Sequence, residues 1–128
     1  MTRTVIATPK GPKAPPFYSQ AVKAAGLVFV SGTPPVDPAT GAVVGTTIQE
    51  QVAQGLRNIS AILEAAGTSL KNAVQATVIM VHAEDFPGLN EEWVKWFPDQ
   101  PPARHAAKMP IRLPGVRVSI AMIAAMPA

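Results

Sequence analysis

The sequence predicts an α+β fold in which two helices cover one face of a single β-sheet. Two segments repeat apolar residues at a helical spacing of about 3.6 residues, and several shorter runs are rich in apolar and β-branched residues, as strands are. Between these segments, 14 prolines divide the chain of 128 residues into short elements. This length allows one domain with a substantial core, so we expect residues 1–128 to form a single domain.

The first elements predicted are an arm and a hairpin. Prolines exclude residues 7–17 from a helix or a central strand, so we expect an ordered arm there. Residues 21–25 and 27–31 flank Gly26 and predict two antiparallel strands, the second mostly buried. A turn-rich stretch follows at residues 33–45.

The long helix has clear signals at both ends. Thr47 and Glu50 form a capping-box pattern at its start, and Gly67 provides the stop. An apolar stripe at helical spacing lies between them, formed by Ile48, Val52, Leu56, Ile59 and Leu63. We expect this stripe to cover one face of the sheet.

The second half of the chain predicts a strand, a shorter helix and two more strands. Residues 72–81 end in a fully apolar run and predict a central strand, and a second helix starts around Asp85 and ends at Pro98. Further strands are expected at residues 103–109 and 116–124. The resulting order is β-β-α-β-α-β-β. Helices on one side only leave the other sheet face uncovered, which favours self-association.

Composition excludes several function classes. The chain has no cysteine, which excludes disulfides, thiolate metal sites and cysteine nucleophiles. Its net charge of +3 comes from two acid-free basic ends around an acidic middle, but the basic residues are scattered and aromatics are few, so nucleic-acid binding is not expected. No apolar run is long enough to span a membrane, and no signal peptide is visible, so we expect a cytoplasmic protein without membrane contact.

No metal site is predicted. His82 and His105 are the two histidines, 23 positions apart, and they form no metal-ligand spacing motif. His82 stands near Glu84 and Asp85 and could chelate with them, but we expect it to cap the turn that follows the strand.

Arg104 is the residue whose surroundings stand out. It lies in a predicted strand directly after the segment PPA and is flanked by alanines in ARHAA, where a solvated arginine would usually have polar neighbours. Two interpretations are open. In the first, Arg104 is an edge residue whose guanidinium extends into solvent. In the second, its planar guanidinium is held in a pocket and binds a carboxylate with two hydrogen bonds.

Taken together, these segments resemble one protein family over nearly the whole chain. The resemblance is carried, in order, by PFYSQAV, VSGTPPVDPATG, AILEAAGTSL, DFPGLNEEW and FPDQPPAR. Each motif alone is weak, but jointly they are specific for the RidA family, also called YjgF or endoribonuclease L-PSP. The resemblance implies a chorismate-mutase-like (YjgF-like) α+β subunit assembled as a homotrimer, with clefts between subunits that bind small carboxylates.

The resemblance also implies a reaction and a set of site residues. Many members hydrolyse reactive 2-imino and enamine acids, such as 2-aminoacrylate and 2-iminopropanoate, to 2-keto acids and ammonia without a cofactor. The matching positions place Arg104 as the clamp for the substrate carboxylate and Tyr18 as a pocket wall and hydroxyl donor. Ser31 and Asn90 would shape or polarise the cleft, and Gly32 would allow close approach of the backbone to the ligand.

The sequence departs from the family at one important position. Deaminating members carry a glutamate in the last strand that handles the water or its proton, whereas alignment places Ala121 there, or Ser119 after a slip of two residues. No acid follows Asp99 in this chain. The residue after the arginine is usually serine and is His105 here, and strand alternation directs its side chain away from the face of Arg104.

Three functions therefore remain open. The first is imine deamination, with activity reduced by the missing acid-base group. The second is binding or processing of a different small carboxylate metabolite, with Ala121 or Ser119 leaving room in the cleft. The third is the ribonuclease activity ascribed to some relatives, for which the sequence offers no site.

Overall fold

The computed structural model describes residues 2–128 and confirms the predicted α+β class, a six-stranded sheet with two helices on one face. Two 3₁₀ turns, Leu70–Asn72 and Ala83–Asp85, lead into longer elements. The strands are β1 (Arg3–Ile6), β2 (Ala21–Ala24), β3 (Leu27–Thr33), β4 (Ala73–Met80), β5 (Ala103–Lys108) and β6 (Val118–Ala125), and the helices are α1 (Ile48–Ala66) and α2 (Phe86–Trp96).

The sheet has the strand order β1-β2-β3-β6-β4-β5. All neighbours are antiparallel except β4 and β5, which run parallel and are connected through α2. The last strand of the chain is therefore inserted into the middle of the sheet, and β5 forms an edge. This placement leaves one side of β5 unpaired within the chain.

The first strand was missed by the sequence analysis, so the predicted order lacks one element at its start. β1 is only four residues long, and three of these residues are exposed. It pairs with β2 at the edge of the sheet, with Ile6 opposite Ala21. A segment this short has too few buried positions for a pattern of alternation, and its strand conformation depends on pairing with the hairpin.

Helix α1 forms as its end signals predict. The Thr47 hydroxyl accepts a hydrogen bond from the Glu50 backbone N–H at 3.2 Å, and the Glu50 carboxylate accepts one from the Thr47 N–H at 3.1 Å. The hydrogen bond from the Thr47 N–H to the carboxylate, together with one from the Thr46 N–H, lowers the pKa of the Glu50 carboxyl. At the other end, Gly67 adopts φ 95°, a left-handed conformation that suits glycine.

Helix α2 lies close to α1 because Gly88 has no side chain. A Cβ atom at Gly88 would lie 2.5 Å from Cγ2 of Ile48, which is closer than two non-bonded carbon atoms can lie. On the inner side of α2, Leu89 and Trp93 are buried, and the Trp93 ring lies 4.9 Å from that of Phe97. This packing fixes the helix above the β4 and β5 end of the sheet.

No element among residues 2–128 covers the face of the sheet opposite the helices, as predicted. Val5, Val22, Phe29 and Ile123 stand in register across four neighbouring strands on this face. Val5 is 53% exposed and Phe29 is 42% exposed. An exposed apolar row of this kind is typical of an association surface. Within residues 2–128, no helix is both long and apolar enough to span a membrane.

A buried glutamine joins two loop segments to α1. Gln51 is 1% exposed. Its amide donates hydrogen bonds to the carbonyls of Gly45 and Gly115, at 3.1 and 2.7 Å, and its oxygen accepts one from the Arg117 backbone N–H at 2.7 Å. The side chain satisfies buried backbone groups that would otherwise lack partners.

We therefore predict that Gln51→Leu lowers the free energy of unfolding by about 2–4 kcal/mol, because the leucine keeps the volume and leaves three backbone groups unpaired. Urea denaturation measures this change. Gln49→Leu, on the same helical turn but without such hydrogen bonds, is the matched control and should cost less than about 1 kcal/mol. Equal effects of the two substitutions would contradict the prediction.

Candidate active site

Arg104 is held by three side chains of α2. It lies on β5 in register with Ala76, which is buried under the helices, so its side chain extends toward the helical face. The guanidinium carbon lies 5.2 Å from the centroid of the Trp93 ring and 5.6 Å from that of Phe86. One terminal nitrogen donates a hydrogen bond to the Asn90 side-chain oxygen at 2.6 Å.

These contacts orient the guanidinium without neutralising it. No carboxylate within residues 2–128 forms a salt bridge with Arg104. Partial burial lowers the pKa of Arg104 through desolvation, but an arginine remains charged in a protein. The result is a positive, planar group with unused N–H donors. This arrangement fits the carboxylate clamp better than the edge residue extending into solvent.

Asn90 supports the clamp from one turn of α2. It precedes Trp93 by three positions, so both side chains lie on the same side of the helix. Because the Asn90 oxygen accepts a hydrogen bond from Arg104, its amide N–H groups remain available for another acceptor. The structure thus brings together two of the predicted site residues.

A second group of predicted residues meets at a β-bulge in β3. Val30 pairs with Met122 and Thr33 pairs with Ile120, so Ser31 and Gly32 stand opposite the single residue Ala121 on β6. A bulge of this kind changes the direction of the side chains and of the backbone groups around it.

Ser31 and Gly32 also share a small cavity with Tyr18. The cavity has a volume of about 40 Å³ and lies under the arm that precedes β2. The Ser31 hydroxyl donates a hydrogen bond to the Ser19 carbonyl at 2.5 Å, which fastens the arm to β3 and leaves the oxygen of Ser31 able to accept. Tyr18 is 49% exposed, so its hydroxyl is accessible from outside the chain.

A residue that the sequence analysis missed holds this arm in place. Gln20 is 7% exposed. Its side-chain nitrogen donates to the carbonyls of Thr8 and Pro12, at 3.0 and 2.8 Å, and its oxygen accepts from the Thr8 N–H at 2.8 Å. A polar residue just after a proline-rich segment is the signal that could have identified it, since prolines leave carbonyls without ladder partners.

The two candidate positions for the family acid lie on the same side of β6. Ser119 and Ala121 both alternate with buried residues and face the side without helices. A Cβ at Gly32 would lie 3.2 Å from the Ser119 hydroxyl oxygen, so Ser119 stands beside the bulge. Ala121 pairs with Thr77 on β4, which pairs with His105 on β5. The His105 ring nitrogen lies 3.1 Å from the Thr77 hydroxyl, on the face opposite to Arg104.

The six predicted site residues therefore form two groups that do not meet within one chain. Arg104 and Asn90 lie on the helical side of β5, whereas Ala121 lies on the other side of β6, with Ser31 and Gly32 opposite it. Since β4 separates the two strands, they are about 10 Å apart in addition to the difference of face.

His82 occupies the N-cap position of the turn that follows β4, so only part of the prediction for it is confirmed. Its side chain makes no capping hydrogen bond to the 3₁₀ turn that follows, and its Nδ1 lies 3.9 Å from the Glu84 carboxylate. Asp85, the other group considered as a chelating partner, instead accepts a hydrogen bond from the guanidinium of Arg117 at 3.0 Å. Within residues 2–128, no group of three possible metal ligands lies together.

Comparison with known proteins gives the same family throughout. The model of the family described as endoribonuclease L-PSP matches residues 8–126. A RutC family protein of Pyrococcus abyssi is 43% identical, over 89% of this chain and 89% of its own. The 2-iminobutanoate/2-iminopropanoate deaminase of Capra hircus is 38% identical, over 97% of this chain and 90% of its own.

Solved structures agree with the sequence comparisons. A putative endoribonuclease from Thermotoga maritima superposes with a TM-score of 0.90 at 39% identity and covers 98% of both chains. E. coli TdcF with bound serine superposes with a TM-score of 0.88 at 31% identity, over 97% of this chain and 99% of its own.

Proposed function

Since the chain belongs to the endoribonuclease L-PSP family, also called RidA or YjgF, we propose that it hydrolyses reactive 2-imino acids to 2-oxo acids and ammonia. The single observation that carries this proposal is the guanidinium of Arg104, oriented by two rings and an amide and without a carboxylate partner among residues 2–128. A relative at 38% identity bears the name of a 2-iminobutanoate/2-iminopropanoate deaminase, and the carboxylate of such a substrate matches the fork of an arginine.

The reaction requires little chemical assistance. A protonated imine is already electrophilic, so water adds to its carbon and forms a carbinolamine. The C–N bond then breaks, the amino group leaves as ammonia, and the hydroxyl oxygen becomes the carbonyl of the 2-oxo acid. By fixing the carboxylate, Arg104 would fix the imine carbon beside it, and such positioning accounts for a large part of many rate accelerations.

The second half-site would supply groups that bind the water and the nitrogen. The hydroxyls of Tyr18 and Ser31 can donate or accept hydrogen bonds, and the bulge at Gly32 exposes backbone to a ligand. Neither Ser119 nor Ala121 is an acid, so proton transfer would pass through hydroxyls and water. Loss of a general acid-base group typically costs about 10²- to 10⁴-fold in rate, so we expect a slow deaminase.

A second candidate function follows from the same observation. Without a carboxylate at the Ser119 and Ala121 positions, the cleft keeps the means to bind a small carboxylate but not the acid of the active relatives. The chain would then bind or process a different metabolite of that class. A solved relative, TdcF, holds serine, which is also a small carboxylate.

We also propose that the protein acts as a homotrimer with the site between subunits. The two half-sites lie on opposite faces of the sheet, so Arg104 of one copy could meet Ser31 and Gly32 only of another. The unpaired edge of β5 and the exposed apolar row with Val5 and Phe29 offer the surfaces for this association.

The first prediction of this proposal concerns assembly. Size-exclusion chromatography with light scattering should give a mass of about three times 13.4 kDa, because only association brings both half-sites together. Val5→Lys, which places a charge in the apolar row, should shift the population toward monomers. A monomer at all concentrations of the unsubstituted protein would rule out the intersubunit site.

The second prediction concerns Arg104. With 2-iminobutanoate generated by a threonine dehydratase, Arg104→Ala should lower kcat/KM for ammonia release about 100-fold, because a bidentate charge-assisted pair is lost. Arg104→Lys keeps the charge but lacks the planar guanidinium that binds both carboxylate oxygens, and it should lower kcat/KM about tenfold. The matched control is Arg57→Ala, which should leave kcat/KM unchanged, since Arg57 is exposed and among residues 2–128 its side chain donates hydrogen bonds only to Gln54 of its own helix.

The results separate the two candidate functions. If the unsubstituted protein does not accelerate ammonia release, deamination is excluded. If 2-oxobutanoate still binds and Arg104→Ala abolishes that binding, the carboxylate-binding function stands alone. An Arg104→Ala variant with full activity would refute the role given to this residue.

A further inference from the structure

An apolar groove adjoins the clamp and has no role in the chemistry proposed so far. It has a volume of about 430 Å³ and lies between β5 and the start of α2, with Phe86, Met80, Ala83 and Ala106 among its lining residues. This volume falls within the range of roughly 300–1,000 Å³ found for ligand clefts. Of the described residues that line it, Lys108 alone carries a charge.

Phe86 connects the groove to the position of the clamped carboxylate. Phe86 lines the groove and also lies 5.6 Å from the guanidinium carbon of Arg104. Ala106 follows Arg104 by two positions on the same strand, so its side chain lies on the same face, about 7 Å further along. A ligand whose carboxylate lies on Arg104 therefore has the groove within reach of its next few carbon atoms.

Two side chains keep the groove open and apolar. The methyl group of Ala106 leaves unfilled the volume that a larger residue would occupy on this face of β5. The ring of Phe86 is 44% exposed, so apolar surface faces the groove while no ligand covers it. A methyl substituent, as in 2-iminopropanoate, would fill only a small part of a groove of 430 Å³.

We propose that this groove is a side-chain subsite and that the preferred ligands are 2-imino and 2-oxo acids with a branched or extended apolar side chain. This inference rests on the proposed function, since it takes the ligand carboxylate to lie on Arg104. Each additional buried methylene is worth about a fourfold gain in affinity. A ligand with three more side-chain carbons than pyruvate should therefore bind at least ten times more tightly.

Lys108 suggests an alternative class of ligand, the dicarboxylates. It lies on the same face of β5 as Arg104 and Ala106, at the far end of the strand. A dicarboxylate could place its second acid group there. The lining between the two cations is apolar, which favours a hydrocarbon chain over a polar one.

The test measures binding of three stable 2-oxo acids by isothermal titration calorimetry. For the unsubstituted protein, 4-methyl-2-oxopentanoate should bind at least ten times more tightly than pyruvate and more tightly than 2-oxoglutarate. Ala106→Leu fills the groove. It should lower the affinity for 4-methyl-2-oxopentanoate at least tenfold and change the affinity for pyruvate by less than about twofold. Ala106→Val should give an intermediate loss.

The matched control is Ala65→Leu, which makes the same substitution at an exposed position of α1 and should leave all three affinities unchanged. Equal affinities for the three acids would overturn the proposal, as would tightest binding of 2-oxoglutarate. Equal weakening of pyruvate and 4-methyl-2-oxopentanoate by Ala106→Leu would also overturn it, because the groove would then not discriminate side chains.

The experiments distinguish failure of the proposed subsite from failure of the proposed reaction. If the preference for 4-methyl-2-oxopentanoate is found but imines are not hydrolysed, the proposed reaction fails and the subsite stands. If imines are hydrolysed without any preference for the longer side chain, the subsite fails and the reaction stands. If none of the three acids binds, the subsite fails, and ammonia release alone decides the reaction.

Discussion

The close contact between α2 and α1 is the constraint on which the candidate site depends. Because Gly88 has no Cβ, α2 lies directly against Ile48 of α1. The same position sets the rings of Phe86 and Trp93 beside the guanidinium of Arg104. An arginine on an edge strand would otherwise extend into solvent, where it gains little from a single ligand contact. The helix packing therefore holds a surface cation in one orientation.

The order of strands explains why the two groups of predicted site residues do not meet within one chain. Insertion of β6 between β3 and β4 places the bulge of β3 next to Ala121 in the centre of the sheet, and leaves β5 with Arg104 at the edge. An edge strand has unpaired backbone groups that can pair with another molecule, whereas the backbone of a central strand is already paired on both sides. A cleft made from the edge of one copy and the uncovered face of another would unite the groups. It would also bury the apolar row that contains Phe29.

The parts of this structure that follow from local sequence could be predicted, and those that follow from pairing could not. Helix α1 has its capping box and its terminal glycine within the helix itself, so both ends were predicted correctly. The strand Arg3–Ile6 forms because it pairs with β2. The bulge at Ser31 depends on the register of β3 with β6, about 90 residues later in the chain. Arg104 was identified from its neighbours and the family resemblance, but the aromatic contacts on its guanidinium required the position of α2.

The most direct test of the central claim is a crystal structure of the protein with 2-oxobutanoate at saturating concentration. The carboxylate should lie on the guanidinium of Arg104 in a bidentate pair, with nitrogen–oxygen distances of about 2.7–2.9 Å. Residues from the bulge of a neighbouring copy should contact the same ligand. An empty cleft at Arg104, or a guanidinium turned away from the ligand toward solvent, would contradict the role given to this residue.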